Sequence, residues 1–397
     1  MIRLLAFLLL CGVAHANLIQ APTVVVKPPP TQVPAPPPLQ GVVQHIPASS
    51  SDQTAAINST INAAAAGDTI FFDAGLHTVC GTVTEKAGQL YIGPSATYPL
   101  QGQSSRATLD GCNYSGQLRP ASNTMTYGLS LSNMLPWVAI NTTGASFRNN
   151  IQDLHNADTL SFEFTCHGGD TNTTIDWNTQ QNGSGNDNSE CEADGDNSSG
   201  YTFTRNSVGP TSHDAVGASG AFNHNTMYSW NYFHDVGLNC GACGTASAIE
   251  VSAAQQTSGD HTRHILNNYI SHAVGYCLSV IGDYDVGNNY CTNGGRALEW
   301  DARPDVTSGA FSNIHDNNMD GASAGSEVLG PYAPEPGSSN TNNVAALIDN
   351  LKCDAGGNCS QNCVYTTAGS CADYGVAFTP AASIPSPPPI PAAGAAP

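Results

Sequence analysis

Basic residues are scarce in this 397-residue chain: 11 Lys plus Arg stand against 31 Asp plus Glu, a formal charge of −20. So acidic a surface cannot attract a polyanion, which excludes nucleic acid and anionic lipid as partners and leaves an acidic polysaccharide to be held only through a bridging cation. Charged residues make up 11% of the chain and aromatic residues 7%. Surface polarity therefore falls to Asn, Ser, Thr and Gly. Beyond Leu4 to Val13 no run is apolar enough to enter a bilayer, so membrane insertion is not expected. Helical periodicity is missing from Tyr201 to Gly330, which excludes an α-rich fold there.

The apolar run after Arg3 ends at Ala14-His-Ala16, a small-x-small cleavage pattern, so residues 1–16 read as a secretory signal and the mature chain as extracellular or periplasmic. Residues 17–47, with Pro28-Pro-Pro30 and Pro36-Pro-Pro38, and the Pro/Ala-rich tail 381–397 are too poor in apolar content to build a core. One folded domain is expected over 48–380. Loss of Cys11 with the signal leaves an even number of cysteines in an oxidising compartment, so disulfides are expected. Neighbours in sequence suggest Cys80 with Cys112, Cys166 with Cys191 and Cys277 with Cys291, two local bridges among Cys353, Cys359, Cys363 and Cys371, and a loop-closing pair Cys240 and Cys243.

What is present is repetition. Asn231-Tyr-Phe-His-Asp-Val-Gly237, Asn268-Tyr-Ile-Ser-His-Ala-Val-Gly275 and Asn289-Tyr-Cys-Thr-Asn-Gly-Gly295 each open on Asn and close on Gly. A second phrase follows: Ala248-Ile-Glu-Val-Ser252, Cys277-Leu-Ser-Val-Ile281, Ala297-Leu-Glu-Trp-Asp301 and Gly325-Ser-Glu-Val-Leu329. Both phrases alternate with a period of two, so they read as strands, and recurrence of Asn at 268, 289 and 318 gives the period of a solenoid coil. Coils of about 22 residues made of strands and tight turns stack as a parallel β-helix, each about 4.8 Å above the last. Buried turn asparagines would then bond the asparagine above and below.

Ser51 to Gly67 is the one helical stretch, with Ser51 as its cap, Ile57 and Ile61 as its apolar stripe and Gly67 as its stop. The run Asp52-Gln-Thr-Ala-Ala-Ile57, Ile61-Asn-Ala-Ala64 and then Gly67-Asp-Thr-Ile-Phe-Phe72 to Gly75 resembles the N-terminal cap and first coil of the pectate-lyase-like superfamily of right-handed parallel β-helices. That resemblance implies an all-β solenoid closed by a short N-terminal helix and an extracellular carbohydrate partner. It does not imply one reaction, because lyases, glycosidases, epimerases and adhesins share the fold.

If Leu298 and Trp300 point into the solenoid, Glu299 points out, and the same register sets Glu250, Ser279, Glu299 and Glu327 in one outward column. Glu250 and Glu299 would stand two coils apart, at about 9.6 Å, and Glu299 and Glu327 one coil apart, at about 4.8 Å. Paired carboxylates at such separations are the equipment of glycoside hydrolysis. Close carboxylates repel, so one is pushed toward protonation as a general acid or a cation settles between them. Calcium, held by Glu299 with Asp283 or Asp285, is the cation that oxygen ligands suit, and Asp301 adjoins the same column. The acidic stretch 182–200, with Asp194-Gly-Asp196, stands open between a solvated loop and a calcium loop.

The polysaccharide-active alternatives differ in their base. Hydrolysis through Glu250, Glu299 and Glu327 leads because carboxylates abound. A lyase acting on a polyuronate such as pectate or alginate would need calcium and an arginine, for which Arg205, Arg263, Arg296 and Arg303 are candidates, although the superfamily's lyases carry basic residues where this chain has Ala253 and Ser279. His234 and His272, with His213, could act as bases beside Asp214 and Asp235 or bind a metal. A third reading is a non-catalytic adhesin whose outer face binds glycan.

Overall fold

The structure, a computed structural model, describes residues 36–94, 106–135, 137–153, 165–167, 170–183, 193–194, 199–219, 225–238, 246–252, 262–281, 284–301, 312–317, 319, 322–324, 327–329, 339–343, 349–353, 359–364 and 378–380. The signal segment, residues 17–35, the tail 381–397, most of the acidic stretch 182–200, Asp283, Arg303, Cys191, Cys240, Cys243 and Cys371 lie outside the described residues.

Short strands recur along the chain, and apart from one hairpin each pairs in parallel with a strand one coil away. That is the connectivity of a parallel β-helix, wound right-handed as β-crossover-β connections are. Each coil lays strands on three faces in turn. Face A holds 13 strands, from Val43–Ile46 to Phe378–Pro380, and face B holds nine, from Gly75–Thr78 to Tyr290–Cys291. Face C is built from Thr82–Thr84 with Gln117–Arg119, then Val138–Ile140, Thr165–His167 and Ala193–Asp194, then Val216–Ser219, Ile249–Ser252, Ala273–Ile281 and Gly294–Asp301, with Ala322–Ala324 and Glu327–Leu329 beyond. The hairpin Asp349–Cys353 with Cys359–Val364 is antiparallel and sets Cys353 opposite Cys359.

The interior follows from alternation. On face A, Phe147, Ile175, Phe203, Tyr228, Ile265, Val286 and Ile314 are successive partners in register and all are buried. Each such side chain removed from water contributes about 1.5–3 kcal/mol, so an uninterrupted column is what holds the coils in line. Val43–Ile46 pairs with Thr69–Phe72 and buries Ile46. The solenoid therefore begins within the segment expected to be an unstructured linker up to residue 47, because Val43 and Ile46 supply the apolar content that the prolines before them lack.

A two-residue corner joins face A to face B. Its first residue is left-handed in seven consecutive coils, at Asn149, Trp177, Arg205, Trp230, Asn267, Asn288 and Asp316, with φ between 52° and 61°. Its second residue is always asparagine: Asn150, Asn178, Asn206, Asn231, Asn268, Asn289 and Asn317. In this ladder each side-chain oxygen accepts the backbone N–H and the side-chain amide of the asparagine before it, as at Asn206 Oδ1, 2.9 Å from Asn178 N and 3.1 Å from Asn178 Nδ2. Each amide also donates to a carbonyl of face A, as Asn206 Nδ2 does to Ile175 O at 3.0 Å. The expected ladder exists, but its last described member is Asn317 and not Asn318.

The helix is shorter than expected, spanning Thr54–Ala63, with Ile57 and Ile61 buried against the first coils. Asp52, not Ser51, satisfies its first turn, accepting from Thr54 N at 3.0 Å. Asn58 on its outer side bonds both Thr82 O and Thr84 N, imitating a further strand along the free edge of face C. The capping role expected of this helix is thus carried by side-chain amide as well as by apolar packing. Disulfides join Cys80 to Cys112 and Cys277 to Cys291, two of the expected pairs.

Candidate functional site

Face C aligns the glutamates. Gly217 pairs with Glu250, Glu250 with Ser279, Ser279 with Glu299 and Glu299 with Glu327, so the four sequence phrases meet in one column. Their neighbours Ile249, Val251, Leu278, Val280 and Leu298 are buried. Glu250 is half-buried, whereas Ser279 is 1% exposed instead of facing solvent as alternation suggested. A short side chain inside a continuous parallel sheet is shaded by what flanks it. The side chains of Glu299, Asp301 and Glu327 lie outside the described residues, but their backbones are placed, with Asp301 between Ile281 and Leu329.

Three residues before Glu299 in the same strand, Arg296 is exposed, pairs in register with Tyr276 and holds its guanidinium 5.6 Å from the Tyr276 ring. Arg263 is different. Its side chain is 1% exposed and packs 6.0 Å from the Tyr284 ring where the chain turns onto face A, so it is withdrawn from any polymeric ligand.

The histidines gather where face B passes to face C. Asp235 lies between two of them, His234 Nδ1 at 3.3 Å and His272 Nδ1 at 3.1 Å. Burial pushes the Asp235 carboxyl up, but hydrogen bonds from His272 and His234 outweigh it and hold the carboxyl below its ordinary value. His213 does not join them; its Nδ1 lies 2.9 Å from Asp214, which also accepts the backbone N–H of Ser247.

Asp285 stands on face A, not beside Glu299 on face C, which removes it from the calcium set proposed with Glu299 and Asp283. Register sets it beside His264, and its two oxygens face His264 Nδ1 at 3.2 Å and His315 Nε2 at 3.1 Å. The other His315 nitrogen lies 2.8 Å from Asp316. Gly287 makes room for this ring, since a Cβ there would fall 2.4 Å from His315 Cε1. Burial pushes Asp285 up, yet the bonds to His264 and His315 hold it well below the usual carboxylate range. Among the described residues no group of three or more His, Cys, Asp or Glu side chains is arranged to hold a metal ion.

Two further features escape a reading by motif. Buried Asp176 joins Arg148 at 2.9 Å and Arg205 at 2.8 Å across three coils of face A. On face B, Tyr232, Tyr269 and Tyr290 are successive register partners whose rings are separated by 5.7 Å and 5.1 Å. The available signal was the Asn-Tyr pair opening each first phrase; with each Asn turned into the ladder, the following residue alternates outward.

No family model and no curated protein matches the chain. Solved structures do. The chain is similar to a PL6 alginate lyase in complex with a trisaccharide, at 12% identity and TM-score 0.47 over 76% of this chain and 79% of that one. It is similar to the catalytic domain of a GH87 α-1,3-glucanase, at 12% identity and TM-score 0.44 over 77% and 65% of the two chains. PfbA, a surface adhesin of Streptococcus pneumoniae, matches at 11% identity and TM-score 0.40 over 76% and 86%. Identities so low speak to fold and leave activity open. With its parallel three-faced coil and capping helix, the chain has the fold of a right-handed parallel β-helix.

Proposed function

We propose that this protein is a secreted polysaccharide-active enzyme that hydrolyses glycosidic bonds with the carboxylates of face C. The observation that carries the reading is the register that puts Glu250, Glu299 and Glu327 in one column. Two coils separate Glu250 from Glu299, about 9.6 Å between backbones, near the wide end of the span that admits a water between acid and base. One coil separates Glu299 from Glu327, about 4.8 Å, nearer the spacing for direct nucleophilic attack. In either geometry Glu299 is the shared member. Repulsion from its neighbours favours a proton on one carboxyl, which then protonates the leaving oxygen while another carboxylate serves as base or nucleophile. The solved structures similar in fold include proteins named as an alginate lyase and an α-1,3-glucanase, which agrees with a glycan as substrate.

A lyase is the second reading, favoured by the exposure of Arg296 beside the column, where a guanidinium could neutralise a uronate while a neighbouring base takes the adjacent proton. Incubation of the full-length protein with neutral and acidic polysaccharides separates the two. New reducing ends without ultraviolet absorbance from an unsaturated sugar are expected, and they persist with a chelator present. Glu299→Gln is expected to abolish cleavage with unfolding temperature unchanged. Products carrying the unsaturated chromophore would assign a lyase, and full activity in Glu299→Gln would remove the column from the reaction. Binding without cleavage of any polymer would leave a glycan-binding solenoid.

A further inference from the structure

The outer side of face B carries two adjoining columns. One is Tyr232, Tyr269 and Tyr290; the other, two residues on in each strand, is His234, Ser271 and Thr292. All six side chains are half-buried, so each ring shows one part to solvent and packs with another. The columns are stitched diagonally at Tyr232, whose Oη donates to Ser271 Oγ at 3.3 Å one coil further up. The His234 ring stacks on Tyr232 at 5.1 Å, with 24° between planes, above Gly209, where a Cβ would lie 2.9 Å from His234 Nδ1. Burial raises the Tyr269 hydroxyl, as do Tyr290 and Tyr232 beside it, so that hydroxyl keeps its proton at neutral pH.

We propose that this strip on face B is a docking site for a neutral, extended glycan chain, separate from the glutamate column on face C. The chemistry narrows the occupant. Tyrosine rings present apolar, electron-rich faces that suit the C–H side of a sugar ring, with a hydroxyl edge beside them that suits its O–H groups. Successive rings recur once per coil, about 4.8 Å, close to the length of one pyranose unit, so a chain lying along the solenoid axis meets one aromatic ring per sugar. Neither column contains Lys or Arg, and Asp235 adjoins His234 in a protein of net charge −20, so a polyanionic glycan is repelled. The strip and the glutamates lie on adjoining faces, so a polymer held on one can feed the other.

Electrophoresis through gels containing hydroxyethylcellulose, xyloglucan, galactomannan or laminarin, with alginate and polygalacturonate as acidic counterparts, tests this on the full chain. Retardation by at least one neutral polymer is expected. Tyr269→Ala is expected to weaken that retardation at least fivefold, and Tyr269→Phe, which keeps the ring, less than twofold. Thermal unfolding checks that the variants fold; Tyr290→Ala, at the upper end of the described column, replaces Tyr269→Ala if that protein does not. The loss of retardation on Tyr269→Ala is expected equally in the cleavage-deficient Glu299→Gln background, which keeps this test apart from that of the catalytic reading. No retardation by any neutral polymer, retardation by the acidic polymers alone, or equal retardation of folded Ala variants would each overturn the proposal.

Discussion

Removal of one rung from the asparagine ladder should cost far more than an ordinary polar substitution, and the cost can be worked from the bonds. Asn206→Ala deletes the acceptor shared by Asn178 N and Asn178 Nδ2 and the donor that satisfies Ile175 O. Asn231 Oδ1 keeps its bond from the Asn206 backbone, so the damage falls on the side below. Asn178 N–H and Ile175 O are then buried polar groups without these partners, and each such group costs about 1–3 kcal/mol. A loss of about 2–6 kcal/mol follows, read as a lower urea midpoint with unchanged slope. Asn206→Asp keeps the acceptor but turns a second oxygen toward the Ile175 carbonyl. Only its protonated form can donate there, so its folded-state pKa is raised and its stability should fall as pH climbs above about 4. The exposed Asn293→Ala serves as control, with an expected change within about 0.5 kcal/mol. A cost below about 1 kcal/mol for Asn206→Ala would show that the ladder accompanies the corner without stabilising it.

Glu85 is fully buried, which pushes its carboxyl up despite the hydrogen bond from Thr126. Its contribution is complete below the unfolded pKa and is lost as pH rises through the folded one, so Glu85→Gln should flatten the pH dependence of the urea midpoint above about pH 4; an unaltered profile would refute this. At the face A cluster, burial pulls His315 down but bonds to Asp285 and Asp316 win and raise it, while Asp285 is lowered. The histidine stabilises below its ordinary pKa of 6.5 and that contribution fades as pH rises through its raised value; the aspartate stabilises above 3.8 and fades as pH falls. His315→Ala should therefore lower the unfolding temperature most in the mildly acidic window between those limits, and a loss independent of pH would exclude the ion-paired histidine.

Much of the fold was legible because a solenoid repeats its instructions. The Asn-aromatic openings marked the ladder, and the Glu in three of the four second phrases marked the column on face C. Where two asparagines adjoin, at 317 and 318, sequence offered no way to choose; the left-handed corner residue at Asp316 decides it for Asn317. Links across coils were hidden. Arg148, Asp176 and Arg205 lie 28 and 29 residues apart, Asn231 and Asn268 lie 37 apart, and Asn268 and Asn289 lie 21 apart. No fixed interval finds such partners, because coil length is set by loops that vary freely. Asp285 was misplaced for the same reason: nearness to Glu299 along the chain said nothing about which face each would occupy.

From Asn149 to Asn289 the corner from face A to face B is always two residues, whereas the passage from face B to face C runs from Phe233 to Ile249 in one coil and from Ile270 to Ala273 in the next. Just as between face C and face A, where the passage runs from Ser252 to His264 in one coil and from Ile281 to Tyr284 in the next, new sequence can be admitted without dislocating the stack along this seam. That seam borders both the tyrosines and the glutamates. Specificity can be rewritten there by lengthening or trimming loops while the scaffold beneath keeps its pitch, and a peptide grafted at that edge would be displayed over the surfaces that matter most.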